Sequence, residues 1–201
     1  MTWSAEQYAR FEDERTRPVR DLLAAVPATE ARLAVDLGCG PGNFTEVLAQ
    51  RFPGAVVTGL DSSAEMIEAA RARLPRCRFE VGTVEDWAAP GPFDAILANA
   101  VLHWVAGHAA LLPRLVGRLA PGGSLAVQMP DNLGEPAHAL MREVAAAGPW
   151  AAALAGAAGA RTAVESADWY YGALRPHCAR VDVWRTTYHH PLAGGAEAVV
   201  E

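Results

Sequence analysis

Hydrophobic positions along the chain fall into two alternating rhythms. Short apolar runs at Leu33–Leu37, Ala55–Leu60, Cys77–Val81, Phe93–Asn99 and Ser124–Met129 are bounded by glycine, proline or charge. Such runs suit strands buried on both faces of a parallel sheet. Between them lie stretches with helical spacing at Asn43–Arg51, Ala64–Leu74 and Ala109–Leu119. Strand and helix in this alternation predict parallel βαβ units, hence an α/β fold with a doubly wound sheet.

The flanks read differently. Trp3, Tyr8 and Phe11 precede a charged string from Glu12 to Arg17, after which Pro18 opens a helix with Val19, Leu22, Leu23 and Val26 on one face. Beyond the fifth strand, Pro136 opens a helix carrying Leu140, Met141 and Val144. Residues 148–163 are almost pure alanine and glycine, compatible with a loop or a weak helix. A helix at Ala167–Leu174 then leads to Val181–Tyr188, whose alternation predicts a sixth strand with one polar face. The tail from Pro191 begins another helix at Ala196–Val200.

With 201 residues and half of them hydrophobic, the chain suits one sizeable core and one domain. A net charge of −6, with no basic run interleaved with aromatics, argues against a nucleic-acid surface. All 17 cations are arginine. Cys39, Cys77 and Cys178 are widely spaced and lack a C-x-x-C, which points to reduced thiols in a cytoplasmic protein and to no metal site. Met1–Arg20 is rich in charge without an apolar h-region, and no run of about 18 uninterrupted apolar residues follows, so the expectation is neither secretion nor a membrane span.

The first strand breaks abruptly into Asp36-Leu37-Gly38-Cys39-Gly40-Pro41-Gly42-Asn43. Glycines let backbone approach a ligand and take positive φ, and the helix that follows offers free N–H groups. A tight turn between two core elements explains the glycines alone. The spacing is not the dinucleotide fingerprint G-x-G-x-x-G, because the sixth position from Gly38 is Asn43. It is D-x-G-x-G-x-G, which resembles motif I of the S-adenosylmethionine-dependent methyltransferases. Asp61 ends the second strand, placed to accept hydrogen bonds from two ribose hydroxyls; with Ser62 and Ser63 it is equally an N-cap signal.

Later strings narrow the resemblance. Asn99-Ala100-Val101-Leu102-His103-Trp104, Val127-Gln128-Met129-Pro130-Asp131-Asn132, Met141-Arg142-Glu143-Val144 and Trp184-Arg185-Thr186-Thr187-Tyr188 are similar to the trans-aconitate 2-methyltransferase family, and the likeness runs from Trp3 to about His190. It implies a Rossmann-like, mostly parallel sheet that here lacks the family's C-terminal antiparallel strand. It also implies S-adenosyl-L-methionine as cofactor and a division into leader or lid (1–30), cofactor-binding core (31–130) and acceptor-side region (131–201). Cofactor contacts are implied at Asp36, Gly38, Gly40 and Asn43 on the first loop and at Asp61 and Ser62 after the second strand. Thr83 and Val84 follow the third strand, and Asn99 ends the fourth. The family's adenine-side carboxylate falls on Thr83, with Glu85 and Asp86 nearby.

The implied reaction passes a methyl group to a carboxylate of trans-aconitate, a small tricarboxylate. A carboxylate is ionised at neutral pH, so no catalytic acid or base is nominated. Arginine forks suit its remaining carboxylates, which nominates Arg142, Arg185 and the leader's Arg17, with Arg15 beside it. A structural ion pair is the competing reading for Arg142 and Arg185, and a solvated or helix-flanking role is the favoured reading for Arg15 and Arg17. Tyr188, Tyr8 and His138 add neutral donors, and His103 and Trp104 wall the acceptor pocket. Two other readings stay open. One is a methyltransferase of the same fold acting on another acid, a hydroxyl or a carbon, for which His103 is a candidate base. The other is a chain that binds cofactor without turnover. The sequence does not settle the oligomeric state.

Overall fold

The computed structural model describes residues 12–155 and 164–190. Tyr8, the rest of the segment before Glu12, the second half of the alanine-glycine tract (156–163) and the tail helix expected at Ala196–Val200 lie outside the described residues.

Five strands, β1 (Leu33–Leu37), β2 (Val56–Asp61), β3 (Arg78–Val81), β4 (Phe93–Asn99) and β5 (Leu119–Gln128), form one sheet in the order β3-β2-β1-β4-β5. Every pairing is parallel. The apolar rhythm therefore located the strands, and β1 and β4 match the expected bounds. The order reverses between β1 and β4, and at such a switch point an open α/β sheet leaves a crevice outside its carboxyl edge.

Helices cover both faces: α1 (Glu12–Ala24), α2 (Asn43–Arg51), α3 (Ala64–Arg73) and α4 (His108–Val116), followed by α5 (Pro136–Ala147), the short α6 (Ala151–Leu154) and α7 (Ala167–Leu174). Val19, Leu22 and Leu23 of α1 pack with Phe44, Leu48 and Phe52, while Leu111, Leu112 and Leu115 of α4 pack with Ile96, Trp87 and Phe93 on the other side. Burying each such side chain contributes about 1.5–3 kcal/mol. Asp94 sets the start of β1 by accepting from the N–H groups of Arg32 and Leu33 at 2.8 and 2.9 Å. Those two donors hold its carboxyl below the usual carboxylate range.

Three expectations need correction. Pro18 does not open the leader helix but sits inside it. The helix reaches back to Glu12 because Arg73 of α3 grips Glu12 and Glu46 together, and Thr16 bonds the Glu12 carbonyl, so tertiary contacts outweigh the missing proline N–H. The turn expected at Pro121-Gly122-Gly123 is part of β5. Its ladder shifts between Phe93↔Leu119 and Ala95↔Ser124, and Gly122 takes φ +80° to absorb the extra residues.

The sixth strand at Val181–Tyr188 is absent. Residues 179–190 have no regular structure, and their polar groups bind α1 and the end of β5 by side chains instead of forming a backbone ladder. Alternation marks an extended segment; it becomes a strand only where its backbone pairs with a neighbouring edge, and the outer edge of β5 stays unpaired by it. The sheet is parallel throughout, without an antiparallel strand among the described residues.

Candidate cofactor and acceptor crevice

The loop after β1 is fastened to the end of β2. Gly38 and Cys39 both donate to the Leu60 carbonyl, at 2.7 and 2.9 Å, and Gly40 donates to Asp61 Oδ2 at 2.9 Å. Asp61 Oδ1 meanwhile accepts from Ser63 N–H at 2.9 Å, and the Ser63 hydroxyl caps α3 by accepting from Met66 N–H. Ser63, not Asp61, is the N-cap, so the carboxylate holds the glycine loop and the Ser63 turn together.

Gly38, Gly40 and Gly42 have φ of +72°, +54° and +91°. A Cβ on Gly38 would lie 2.4 Å from Val101, whereas one on Gly40 would meet nothing within 4 Å. Gly38 thus serves close packing against the loop after β4, and Gly40 leaves its outer side open to a ligand. Beyond β4, Ala100 takes φ +52°, rare for a residue with a side chain, and its N–H donates to the Gln128 carbonyl at 2.9 Å. Nothing in the sequence signals that strained position at the crevice edge.

Asp36 is fully buried beneath the loop, where Thr45 donates to its Oδ2 at 2.7 Å and Oδ1 has no hydrogen-bond partner among the described residues. Burial first, opposed by the Thr45 bond and reinforced by the charge of Asp61, pushes its pKa up to about 7. Asn43 is also buried, in the first turn of α2. Neither Asp36 nor Asn43 reaches the crevice wall.

Gly38, Gly40, Asp61, Ser62, Thr83, Val84 and Asn99 all line the crevice. Its volume of about 2530 Å³ exceeds the roughly 300–1,000 Å³ of a site for one small ligand, leaving room for cofactor and acceptor together. Thr83 is occupied locally: its hydroxyl donates to Asp86 Oδ2 at 2.8 Å and accepts from Asp86 N–H at 3.1 Å. Arg114 of α4 steadies the same segment by donating to the Val84 and Trp87 carbonyls.

Asn99 is 3% exposed, and its Oδ1 has no partner among the described residues. A buried acceptor left open in a ligand-sized crevice fits a cationic group such as the methionyl ammonium. Together with the open face of Gly40 and the Asp61 carboxylate, it makes the lining compatible with S-adenosylmethionine.

The acceptor candidates divide. His103, Trp104, His138, Arg15, Arg185 and Tyr188 line the crevice. His103 is buried and Trp104 is half exposed, their rings 4.9 Å apart. Arg17 lies over the Tyr188 ring at 5.0 Å, and Arg185 pairs with Asp131. Arg142 is set apart: it is exposed on α5, donates to the Leu133 carbonyl at 2.6 Å and does not line the crevice. Sequence reasoning missed Asp21 and Asp131 as partners of these groups. Asp21 had a signal, since it stands four residues after Arg17 on one helical face; Asp131 had none.

A glycine-rich loop after β1, a carboxylate ending β2, and an open crevice at the switch of a parallel sheet define a Rossmann-like S-adenosylmethionine-dependent methyltransferase. The sequence profile described as "Methyltransferase domain" matches residues 34–123. Over 199 residues the chain is 57% identical to the trans-aconitate 2-methyltransferase of Methylobacterium radiotolerans, a match covering 98% of this chain and 76% of the relative. The chain belongs to the trans-aconitate 2-methyltransferase family.

Among solved structures, the methyltransferase complexed with the Trm112 activator from Haloferax volcanii shares the fold. Its TM-score is 0.67 at 23% identity, covering 94% of this chain and 85% of that one. An amino pentose methyltransferase from Micromonospora echinaspora, solved with S-adenosylmethionine bound, gives a TM-score of 0.50 at 27% identity over 64% of this chain and 57% of that one.

Proposed function

We propose that this chain transfers a methyl group from S-adenosylmethionine to a carboxylate of trans-aconitate, forming a monomethyl ester. The observation that carries this reading is a single crevice lined by the Gly38–Gly40 loop, Asp61 and the open Oδ1 of Asn99 on one side and by Arg185 and Tyr188 on the other.

When bound, S-adenosylmethionine supplies an electrophilic methyl group on a sulfonium sulfur. Asp61 would accept from the ribose hydroxyls and Asn99 from the ammonium, while the backbone at Gly40 allows close approach. Asp36 and Asn43 would act from below the loop, through its shape and charge. Thr83, its hydroxyl engaged by Asp86, leaves Val84 backbone and Glu85 as the adenine-side groups. An acceptor carboxylate with a pKa near 4 is ionised at neutral pH, so no side chain has to remove a proton. The chain's work is placement, for which well-oriented partners reach effective molarities of about 10⁵–10⁸ M.

Arg185 would grip a spare carboxylate, with His103 and Trp104 walling the pocket. Arg142 would reach substrate only by leaving the Leu133 carbonyl. A single domain with leader 1–30, core 31–130 and acceptor-side region 131–201 is the working division. A cytoplasmic setting is supported by the three unpaired cysteines, two of them only partly covered; among the described residues no helix is long and apolar enough to cross a membrane.

Calorimetry with S-adenosylmethionine and a methyl-transfer assay on trans-aconitate test the proposal, and cofactor binding without turnover would refute the acceptor assignment. For the cofactor side, Asp61→Ala is expected to weaken S-adenosylmethionine binding by about 1.5–3 kcal/mol, the range for hydrogen bonds to a charged group. Unchanged affinity would confine Asp61 to holding the Gly40 and Ser63 backbone.

A further inference from the structure

Residues 178–190 run along the crevice without backbone pairing and are held at both margins by carboxylates. At one margin Arg185 is paired with Asp131, three residues past the end of β5. At the other, the Tyr188 hydroxyl donates to Asp21 of α1 at 2.8 Å, with Arg17 stacked on the same ring. The aspartate contact at Tyr188 uses a neutral hydroxyl. The one at Arg185 uses the group best suited to a substrate carboxylate.

Resting on the proposed reaction, we infer that Asp131 is a specificity-determining residue: it occupies the Arg185 guanidinium in place of an acceptor carboxylate, and an acid must displace it to be gripped. Asp131 engages one terminal nitrogen, whereas a guanidinium presents five donors in a fork that fits a carboxylate in bidentate fashion. The side chains of Arg185 and Asp131 are 81% and 41% exposed. An ion pair this wet contributes little and exchanges readily.

An incoming polycarboxylate keeps one carboxylate for methylation and offers another to Arg185, so exchange is nearly even and frees Asp131 to water. A monocarboxylate has none to spare. It leaves Asp131 in place and meets its negative charge at the crevice wall. Arg185 therefore favours acids that carry more than one carboxylate, and Asp131 limits that preference by competing for the same guanidinium, without adding a group to the methyl-transfer step.

A kinetic cycle on the full chain tests this. Asp131→Asn should lower KM for trans-aconitate by about two- to fivefold, the worth of an exposed pair. Asp131→Glu, which keeps a carboxylate within reach, should restore the wild-type KM. In an Arg185→Ala background, itself raised in KM, Asp131→Asn should change nothing further. An unchanged or higher KM in Asp131→Asn overturns the inference. So does the same decrease in the Arg185→Ala background, which would mark a general effect of removing one negative charge. Titrating trans-aconitate into the five proteins with S-adenosylhomocysteine present reads the same ratios without turnover. If the wild type binds the acid but does not methylate it, the proposed reaction fails while the affinity ratios still decide the role of Asp131.

Discussion

Gly38→Ala is expected to destabilise the protein by about 2–5 kcal/mol. Two costs add. A residue with a Cβ held at positive φ costs roughly 1–2 kcal/mol, and Gly38 sits at +72°. The new Cβ would also lie 2.4 Å from one Val101 carbon and 2.5 Å from another, an overlap of the kind that costs about 1–3 kcal/mol in a packed interior. Val101 has little freedom to retreat, because Ala100 is already in the left-handed region and Leu102 behind it is fully buried. Denaturant unfolding of the cofactor-free protein reads the effect, and a midpoint within error of the wild type would show that the two loops do not interlock as described. Gly40 is the internal control: its φ is also positive, but its Cβ would meet nothing within 4 Å. Gly40→Ala should therefore cost only the backbone term.

The second large effect is a pH dependence. The Asp36 carboxyl has a pKa near 7 in the folded protein, raised chiefly by burial, against 3.8 as its ordinary value. A folded-state pKa above the unfolded one means that the native state holds its proton longer, so stability from this group is full below about pH 4. It is lost as pH rises through 7. Each pKa unit corresponds to about 1.4 kcal/mol. Asp36→Asn cannot titrate. Its stability relative to wild type should therefore increase by on the order of 4 kcal/mol between pH 4 and pH 8 and level off above that. The constant cost of an unpartnered amide at this position shifts both ends of the comparison equally. Parallel curves for the two proteins across that range would mean that Asp36 is ionised throughout and that its burial is compensated by other contacts.

Both predictions concern residues that the sequence picked out as ligand contacts, and the structure redistributes their tasks. Asp36 and Gly38 shape the loop, Asp61 ties it to β2, and Gly40 is the position left open. The spacing D-x-G-x-G-x-G identified the loop because each of those tasks demands a particular residue type. It could not divide the labour, since that depends on Val101, Leu60 and Thr45 arriving from β4, β2 and α2.

The exposed apolar side chains of Leu140, Met141 and Val144 teach a related lesson. Their helical spacing correctly placed α5 but said nothing about burial, and no residue of that helix is buried among the described contacts.

What the sequence determined by itself is the α/β order of elements, the bounds of β1, α2 and β4, the glycine-rich loop after β1 and the family. These follow from local signals: apolar runs of strand length, helical periodicity, glycines where positive φ is required, and strings of residues held at fixed spacing. Tertiary structure alone decided that Val181–Tyr188 is not a strand, that Arg185 answers to Asp131 across 54 positions, that Arg73 extends the leader helix through Pro18, and that Arg142 stands away from the crevice. Each of those outcomes is a competition between partners far apart in the chain. Periodicity and composition describe what a segment is able to pair with, whereas distance and burial in the folded chain select the partner it has.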